Sequence, residues 1–386
     1  MIIVGGGPAG ATVAMGLARR GVKATLLEAQ PGPEAKIGEC LPPNVSALLE
    51  RLGIQDRLGR KDHLAFYGNR SWWGSAMPVE RDFLFGTRGS GWQLDRRKFE
   101  ETLAQMAREQ GAEWLYGCRL LECCWVGSNW ELRARSAAGV KTFEADFVVD
   151  ATGRNATLAR RLGAHQIRYD RLIGAAVTMK ADDDTGSRDS FTILEAVESG
   201  WWYAARLPER QLIVVYLTDS DLVDHKALSR IDNWLGLLEK TQHASRRVRD
   251  GAHRSLADPR ILAANSARLS SIAGERWLAV GDAATAHDPL ASYGIAAALG
   301  GGFNAAAAIA DCLAGNYDAI SRYSRLIDHA FAQYLLLHHE YYGLERRWPQ
   351  QTFWRRRHVA TTIDVKEYQH GNDARGSNEM FPPFSP

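Results

Sequence analysis

"IIVGGGPAGATVAMGLARRGVKATLLEA", Ile2 to Ala29, reads as a strand at residues 2–4, a glycine turn, a helix from about Ala9 to Arg20 and a second strand ending in Glu28. This is a βαβ unit. Gly5, Gly7 and Gly10 occupy three positions with different tasks: a tight turn, close approach of the backbone to a pyrophosphate, and close packing of helix on strand. Pro8 and Ala9 open the helix beside the same turn. Glu28 follows about twenty residues on, where an acid accepts from ribose hydroxyls. Strand, turn, helix, strand and acid together predict an α/β fold with a Rossmann-like domain at the N-terminus. The ligand they imply is an adenine dinucleotide, and this motif alone does not separate FAD from NAD.

The bulk properties agree. At 386 residues and 45% apolar, the chain has room for two domains or one large discontinuous one. Forty-seven basic against 45 acidic residues leave a net charge of +2, too little for a general nucleic-acid or membrane-surface field, so no nucleic-acid partner is expected. Five cysteines, Cys40, Cys118, Cys123, Cys124 and Cys312, are an odd number without CxxC or metal-ligand spacing. Neither a disulfide framework nor a metal site is expected, and a reducing cytoplasm fits best. No export signal is read at the start, and no apolar run reaches the ~20 residues of a membrane span. The polar, Pro-rich tail "GNDARGSNEMFPPFSP" reads as a loose or docking terminus.

The dinucleotide is decided by "RWLAVGDAATAHDPLASYGIAAALGGGFNAAAAIADCL", Arg276 to Leu313. An apolar strand ends at Gly281, Asp282 stands at its carboxyl end, and a loop leads to a helix whose first turn lies near Gly294 and Ile295. Ligands sit at such strand ends. Asp282 can hold a polyol by hydrogen bonds, and the free N–H groups of the helix start stabilise negative charge. A reduced flavin has both needs, a ribityl chain and an anionic ring edge. The glycine turn, the distal acid and "GD" with its helix resemble the FAD-dependent oxidoreductases of the p-hydroxybenzoate hydroxylase fold, over nearly the whole chain.

Two further segments carry the resemblance. In "WQLDRRKFEETLAQMAREQGAEWL" it implies that Arg96 reaches the cofactor from a helix start. "ADFVVDATGRNATLARRLG" is similar to the family's middle motif, with Thr152-Gly153 where single-component hydroxylases more often have Asp-Gly. That departure weakens a standard NAD(P)H site. Only one dinucleotide fingerprint is complete, so electrons are expected transiently from NAD(P)H or from an external reduced flavin or reductase.

"KIGECLPPNVSALLERLGI" resembles the GE(A/S)xxP segment of the tryptophan-halogenase branch, which lies beside the flavin there; Glu39 and Pro42 carry the match. Cys40 replaces the usual Ser or Ala, and reads either as a small buried residue or as a flavin contact. Halogenases of that branch also carry a lysine between flavin and substrate and a WxWxIP segment. Here the corresponding stretches read "FYGNRSWWGS" and "SGWWYAARLP", and the nearest lysine is Lys61. Hydroxylation is therefore the better expectation.

The combination of "GNRSWWGS", "SGWWYAARLP", "VVYLTDSDL" and "YYGLERRWPQQTFWRRRH" is similar to the flavoproteins that mature tryptophylquinone enzymes, the partners of quinohemoprotein amine dehydrogenase and of the lysine and glycine oxidases with a quinone cofactor. This implies a monooxygenase acting with O2, through a flavin C4a-hydroperoxide, on a tryptophan of a precursor polypeptide. A small-aromatic (indole or phenol) hydroxylase and a non-catalytic FAD-binding assembly factor stay open beside it.

Individual residues follow from that expectation. His287 and Asp288 lie between Asp282 and the helix, placed to shuttle a proton or simply to face solvent. Tyr293 contacts the indole or packs. Trp72, Trp73, Trp201 and Trp202 are expected on strands of a substrate-domain sheet, at least half of them in its core, with Trp73 and Trp202 the candidates for substrate contact. The run from Arg346 to Arg357 reads as a docking surface or as an amphipathic helix with a solvated basic face. Residues 319–342 have helical spacing, with Pro349 ending or bending that element. The expected layout is an FAD domain from residues 1–61, 95–165 and 265–315, a substrate domain from 62–94 and 166–264, and C-terminal helices and tail over 316–386.

Overall fold

The computed structural model describes residues 1–59, 61–83, 89–181, 189–255 and 257–359. Its first strand, Ile2–Val4, is apolar and wholly buried. It pairs in parallel with Thr25–Leu27 on one side and Val148–Asp150 on the other. Glu113–Leu115 and Trp277–Ala279 extend the parallel order, and the antiparallel Ala273–Gly274 completes six strands among the described residues. Such strands need cover on both faces. Helix Pro8–Ala18 supplies part of it and lies against both Arg96–Glu109 and Gly294–Leu313. The last of these is long and apolar enough to cross a membrane, yet most of it is buried against its neighbours, as a core helix would be.

The second large element is a sheet of eight strands among the described residues, built around the antiparallel strands Leu172–Ala181, Gln211–Asp219, Gly200–Leu207 and Thr192–Val197. Gly68–Trp72 joins it parallel to Thr192–Val197, followed by Val79–Asp82 at the edge. One face is covered by helices Ile231–Leu238 and His243–Asp250. The other packs on Leu290 of the 281–293 segment and on Tyr342, Phe353 and Trp354 from helices Asp318–Leu344 and Thr352–His358. A small sheet, Cys40–Leu41, Gly91–Gln93 and Leu64–Phe66, touches strand Gly200–Leu207 of the large sheet on one side and helix Gly294–Leu313 on the other. The α/β architecture with a Rossmann-like sheet, a separate β-sheet layer and C-terminal helices is thus the fold of this chain.

Several expectations are corrected. The long C-terminal helix stops at Leu344, so Pro349 neither ends nor bends it. Trp73 lies just outside the strand Gly68–Trp72. Trp202 is buried on the helix-covered face, stacked on Tyr216 and edge-on to Trp234, away from the face that meets the dinucleotide domain. Side chains alternate faces along a strand, so Trp201 points the other way. The arginine run is not a free basic surface: Arg357 is buried on Asp219, Arg356 bridges Asp219 and Asp221, and Arg347 holds Glu345 and the Trp72 carbonyl. The Pro-rich tail, 371–386, lies outside the described residues.

Candidate functional site

The glycine turn is pressed against the end of the Val148–Asp150 strand. Gly5 adopts φ +110°, and a Cβ there would stand 2.2 Å from the Ala151 carbonyl oxygen, so only glycine fits. At Gly7, by contrast, a Cβ would meet nothing within 4 Å. Helix Pro8–Ala18 starts there with no side-chain cap, and its first amides face that open space. Glu28 accepts from the Gly6 amide (2.6 Å) and the Gln30 amide (2.7 Å), which fixes its carboxylate beside the turn.

The opposite wall comes from the 281–295 segment. Gly281 has φ +57°, and a Cβ there would meet that of Ala9 at 2.8 Å, which brings Asp282 close to the glycine turn. Asp282 lies 3.6 Å from the Nε of Arg154. Its side chain is 37% exposed, yet the surrounding protein pushes its pKa up, against the pull of Arg154 and then Arg96. A carboxylate both accessible and crowded by protein lines a recess. Arg154 was not singled out from the sequence. It donates to the carbonyls of Asn265 (2.6 Å) and His287 (2.7 Å), tying the "DATG" strand end to the 281–295 segment. A charged residue directly after "DATG" was the available signal.

Arg96 opens its helix, capped by Asp95. It donates to the Gly38 carbonyl (2.6 Å) and to Glu100, while its Nε is buried without a partner. Helix Gly294–Leu313 begins with no side-chain cap at Tyr293, leaving the amides of Gly294 and Ile295 to a bound anion. The open space over Gly7, the orphaned Arg96 Nε and the recessed Asp282 fit an adenine dinucleotide with a polyol and an anionic ring edge.

The catalytic candidates fare differently. His287 is buried, and desolvation, then Arg154, holds its imidazole down to a pKa of about 3. It stays neutral, a poor carrier of protons at neutral pH. Its ring packs edge-on to Tyr293, Phe331 and Tyr334 and lines a cavity of ≈ 20 Å³ with Ala297 and Gly301, room for one water. Asp288 is buried with both carboxylate oxygens engaged. One oxygen accepts from the Leu290 amide and the other from His338 (3.1 Å) and Tyr342 (2.8 Å). Burial opposes its charge, but those hydrogen bonds prevail and keep its pKa low. Burial raises the pKa of Tyr293 and keeps it a phenol. Trp73 is half-buried in an aromatic cluster with Trp201, Tyr342 and Trp354, its Nε1 bonded to the Tyr341 carbonyl. Thr152 accounts for the departure in the middle motif: its amide and hydroxyl donate to Asp150, and its oxygen accepts from the Thr157 amide.

A polar group survives where small and large sheets meet. Glu39 is buried, and desolvation raises its carboxyl to about 7 against the pull of Arg96 and the Gly38 amide. Beside it, burial pushes the Cys40 thiol up to about 12, with a hydrogen bond to Ser292 opposing. Cys40 pairs with Gln93 across the small sheet, and Gln93 faces Tyr203 of the large one.

Comparison with known proteins matches residues 1–325 to the family described as FAD binding domain. The chain is 29% identical, over 94% of its length and 97% of the relative's, to a protein described as an FAD-dependent oxidoreductase, LodB, of Marinomonas mediterranea. It is 25% identical to tryptophan 2-halogenase of Chondromyces crocatus, over 93% and 70% of the two chains. In fold it resembles the myxobacterial chondrochloren halogenase CndH (TM-score 0.85, 21% identity, 95% and 87% covered). It also resembles the peptidyl tryptophan dihydroxylase QhpG, essential for tryptophylquinone cofactor biogenesis (TM-score 0.76, 23% identity, 92% and 77% covered).

Proposed function

Because this chain belongs to the FAD binding domain family, we propose that it is a flavin-dependent monooxygenase that hydroxylates a tryptophan side chain of a precursor polypeptide during tryptophylquinone biogenesis. One observation carries the choice over halogenation. The wall where the sheets meet presents Glu39, Cys40, Gln93 and Tyr203, and among the described residues no lysine is buried. Lys36 is paired with Glu100, Lys98 with Asp62, and Lys61 is exposed. A halogenase of this branch is expected to need a lysine between flavin and substrate. The likeness in fold to a peptidyl tryptophan dihydroxylase supports a protein-borne substrate.

In this reading Gly7 and the uncapped start of helix Pro8–Ala18 hold the diphosphate, Glu28 the ribose, and Asp282 the polyol, with Arg154 fixing the loop behind it. Gly294, Ile295 and Arg96 receive the ring edge. Bound FAD supplies the two-electron activation of dioxygen. The protein then positions the indole and keeps water from the reacting atoms, which is most of what such a step asks of it.

The test is intact mass and peptide mapping of a quinoprotein precursor incubated with the FAD-loaded chain, dioxygen, bromide, and NADH or a reduced-flavin donor. The expected result is one or two added oxygen atoms at a single tryptophan. A bromine isotope pattern would instead assign a halogenase. Oxidation of free indole alone would assign a small-aromatic hydroxylase, and an unchanged precursor without oxygen uptake an assembly factor.

A further inference from the structure

Seven carboxylates are buried among the described residues, and six are committed. Glu195 accepts three amides at the start of helix His243–Asp250. Asp150 accepts two amides and the Thr152 hydroxyl. Asp288 accepts from Leu290, His338 and Tyr342. Glu100 pairs with Lys36 and Arg96, Asp219 with Arg356 and Arg357, and Glu345 with Arg347. Glu39 is the seventh. It takes backbone amides at Gly38 and at its own residue, and no side chain donates to it.

Its surroundings are also uncommitted. The Nε of Arg96 and the Oε1 of Gln93 are both buried without a hydrogen-bond partner. The titratable or charged groups facing it are Cys40, the next residue in the chain, Tyr203 from the large sheet, and Arg96, backed by Glu100, from helix Arg96–Glu109; Asp282 lies beyond Arg96. The thiol and the phenol stay protonated, so Arg96 is the one charge bearing directly on Glu39. A buried carboxyl held by backbone amides alone, with partnerless buried polar atoms on Arg96 and Gln93, is costly unless something bound completes the group.

We propose that Glu39 exchanges a proton with the aromatic substrate held between the flavin-binding domain and the large sheet, an inference that rests on the monooxygenase reading above. When a ring carbon gains oxygen, the C–H bond at that carbon breaks. Its electron pair returns to the ring, and the proton passes to the Glu39 carboxylate. The oxygen atom comes from dioxygen. The second oxygen atom leaves as water, with two electrons from the nicotinamide or reduced-flavin donor and two protons, one of them the proton Glu39 gives back.

The experiment uses the FAD-loaded full chain in single-turnover product formation across pH 5.5 to 9, with wild type, Glu39→Gln and Glu39→Asp, alongside an infrared titration of the Glu39 carboxyl stretch. Flavin absorbance confirms equal loading. The wild-type rate is expected to rise with pH through neutrality and level off, following the carboxyl signal. Glu39→Gln should be slower by roughly 100-fold and lose that limb, while Glu39→Asp recovers part of the rate with a displaced limb. Product from Glu39→Gln with the wild-type pH profile, or a carboxyl that ionises below pH 5 in the loaded chain, overturns the proposal. Absence of any oxygenated product from wild type overturns the monooxygenase reading itself, so the two failures are told apart.

Discussion

His287 and Glu39 are buried ionisable residues whose charges respond to pH with opposite signs. In the folded chain His287 binds a proton only near pH 3, whereas the unfolded chain binds it near 6.5. Its contribution is therefore fully present above 6.5 and lost as pH falls, at about 1.4 kcal/mol per unit. Urea denaturation between pH 7 and 4.5 should show His287→Gln losing stability less steeply than wild type. Glu39 keeps its proton to about 7 when folded, against 4.5 when unfolded. Its contribution is present below 4.5 and lost as pH rises through 7. Glu39→Gln should thus be more stable than wild type at pH 8, by at most on the order of 3 kcal/mol, and little changed at pH 4.5. Equal stabilities at pH 8 would show that Glu39 is not held protonated by burial.

Helix Thr352–His358 is held to the large sheet by its apolar residues Phe353 and Trp354 and by charge, with Arg357 buried on Asp219 and Arg356 beside it. Removing one partner of a buried pair leaves the other uncompensated. Arg357→Ala should cost about 3 kcal/mol in chemical denaturation, whereas the exposed Arg355→Ala should stay within about 0.5 kcal/mol. A similar loss for both would mean that the run acts through its net charge. The sequence showed the arginines, but their acidic partners Asp219 and Asp221 lie more than a hundred residues away. Trp202 fails for a local reason: adjacent tryptophans on one strand point to opposite faces, and nothing in "SGWWYAARLP" says which face is covered by helices. Asp288 likewise reads as a loop acid until Asp318–Leu344 brings His338 and Tyr342 against it.

At the scale of the whole molecule, bound FAD would link the glycine turn, Arg96 and the 281–295 segment, so removing it should lower thermal stability. Saturation at a hundred times Kd stabilises by about 2.7 kcal/mol, read as a rise in melting temperature on adding FAD to stripped protein. Asp282→Asn should melt as the stripped wild type does and respond less to FAD. A full response in that variant would remove Asp282 from the site. The Rossmann-like unit and the positions of Gly5, Gly7, Gly10, Glu28 and Asp282 were legible because the chemistry of a dinucleotide turn is written in contiguous residues with fixed spacing. The βαβ unit needs only local periodicity and glycine geometry, so the sequence by itself determined it, together with the carboxyl strand end that carries Asp282. Which charges are spent inside the fold, which face of the large sheet each tryptophan takes, and that Glu39 is buried with no side chain donating to it were decided by tertiary structure. Hydrogen-bond partners and desolvation come from segments distant in sequence, and no local pattern encodes them.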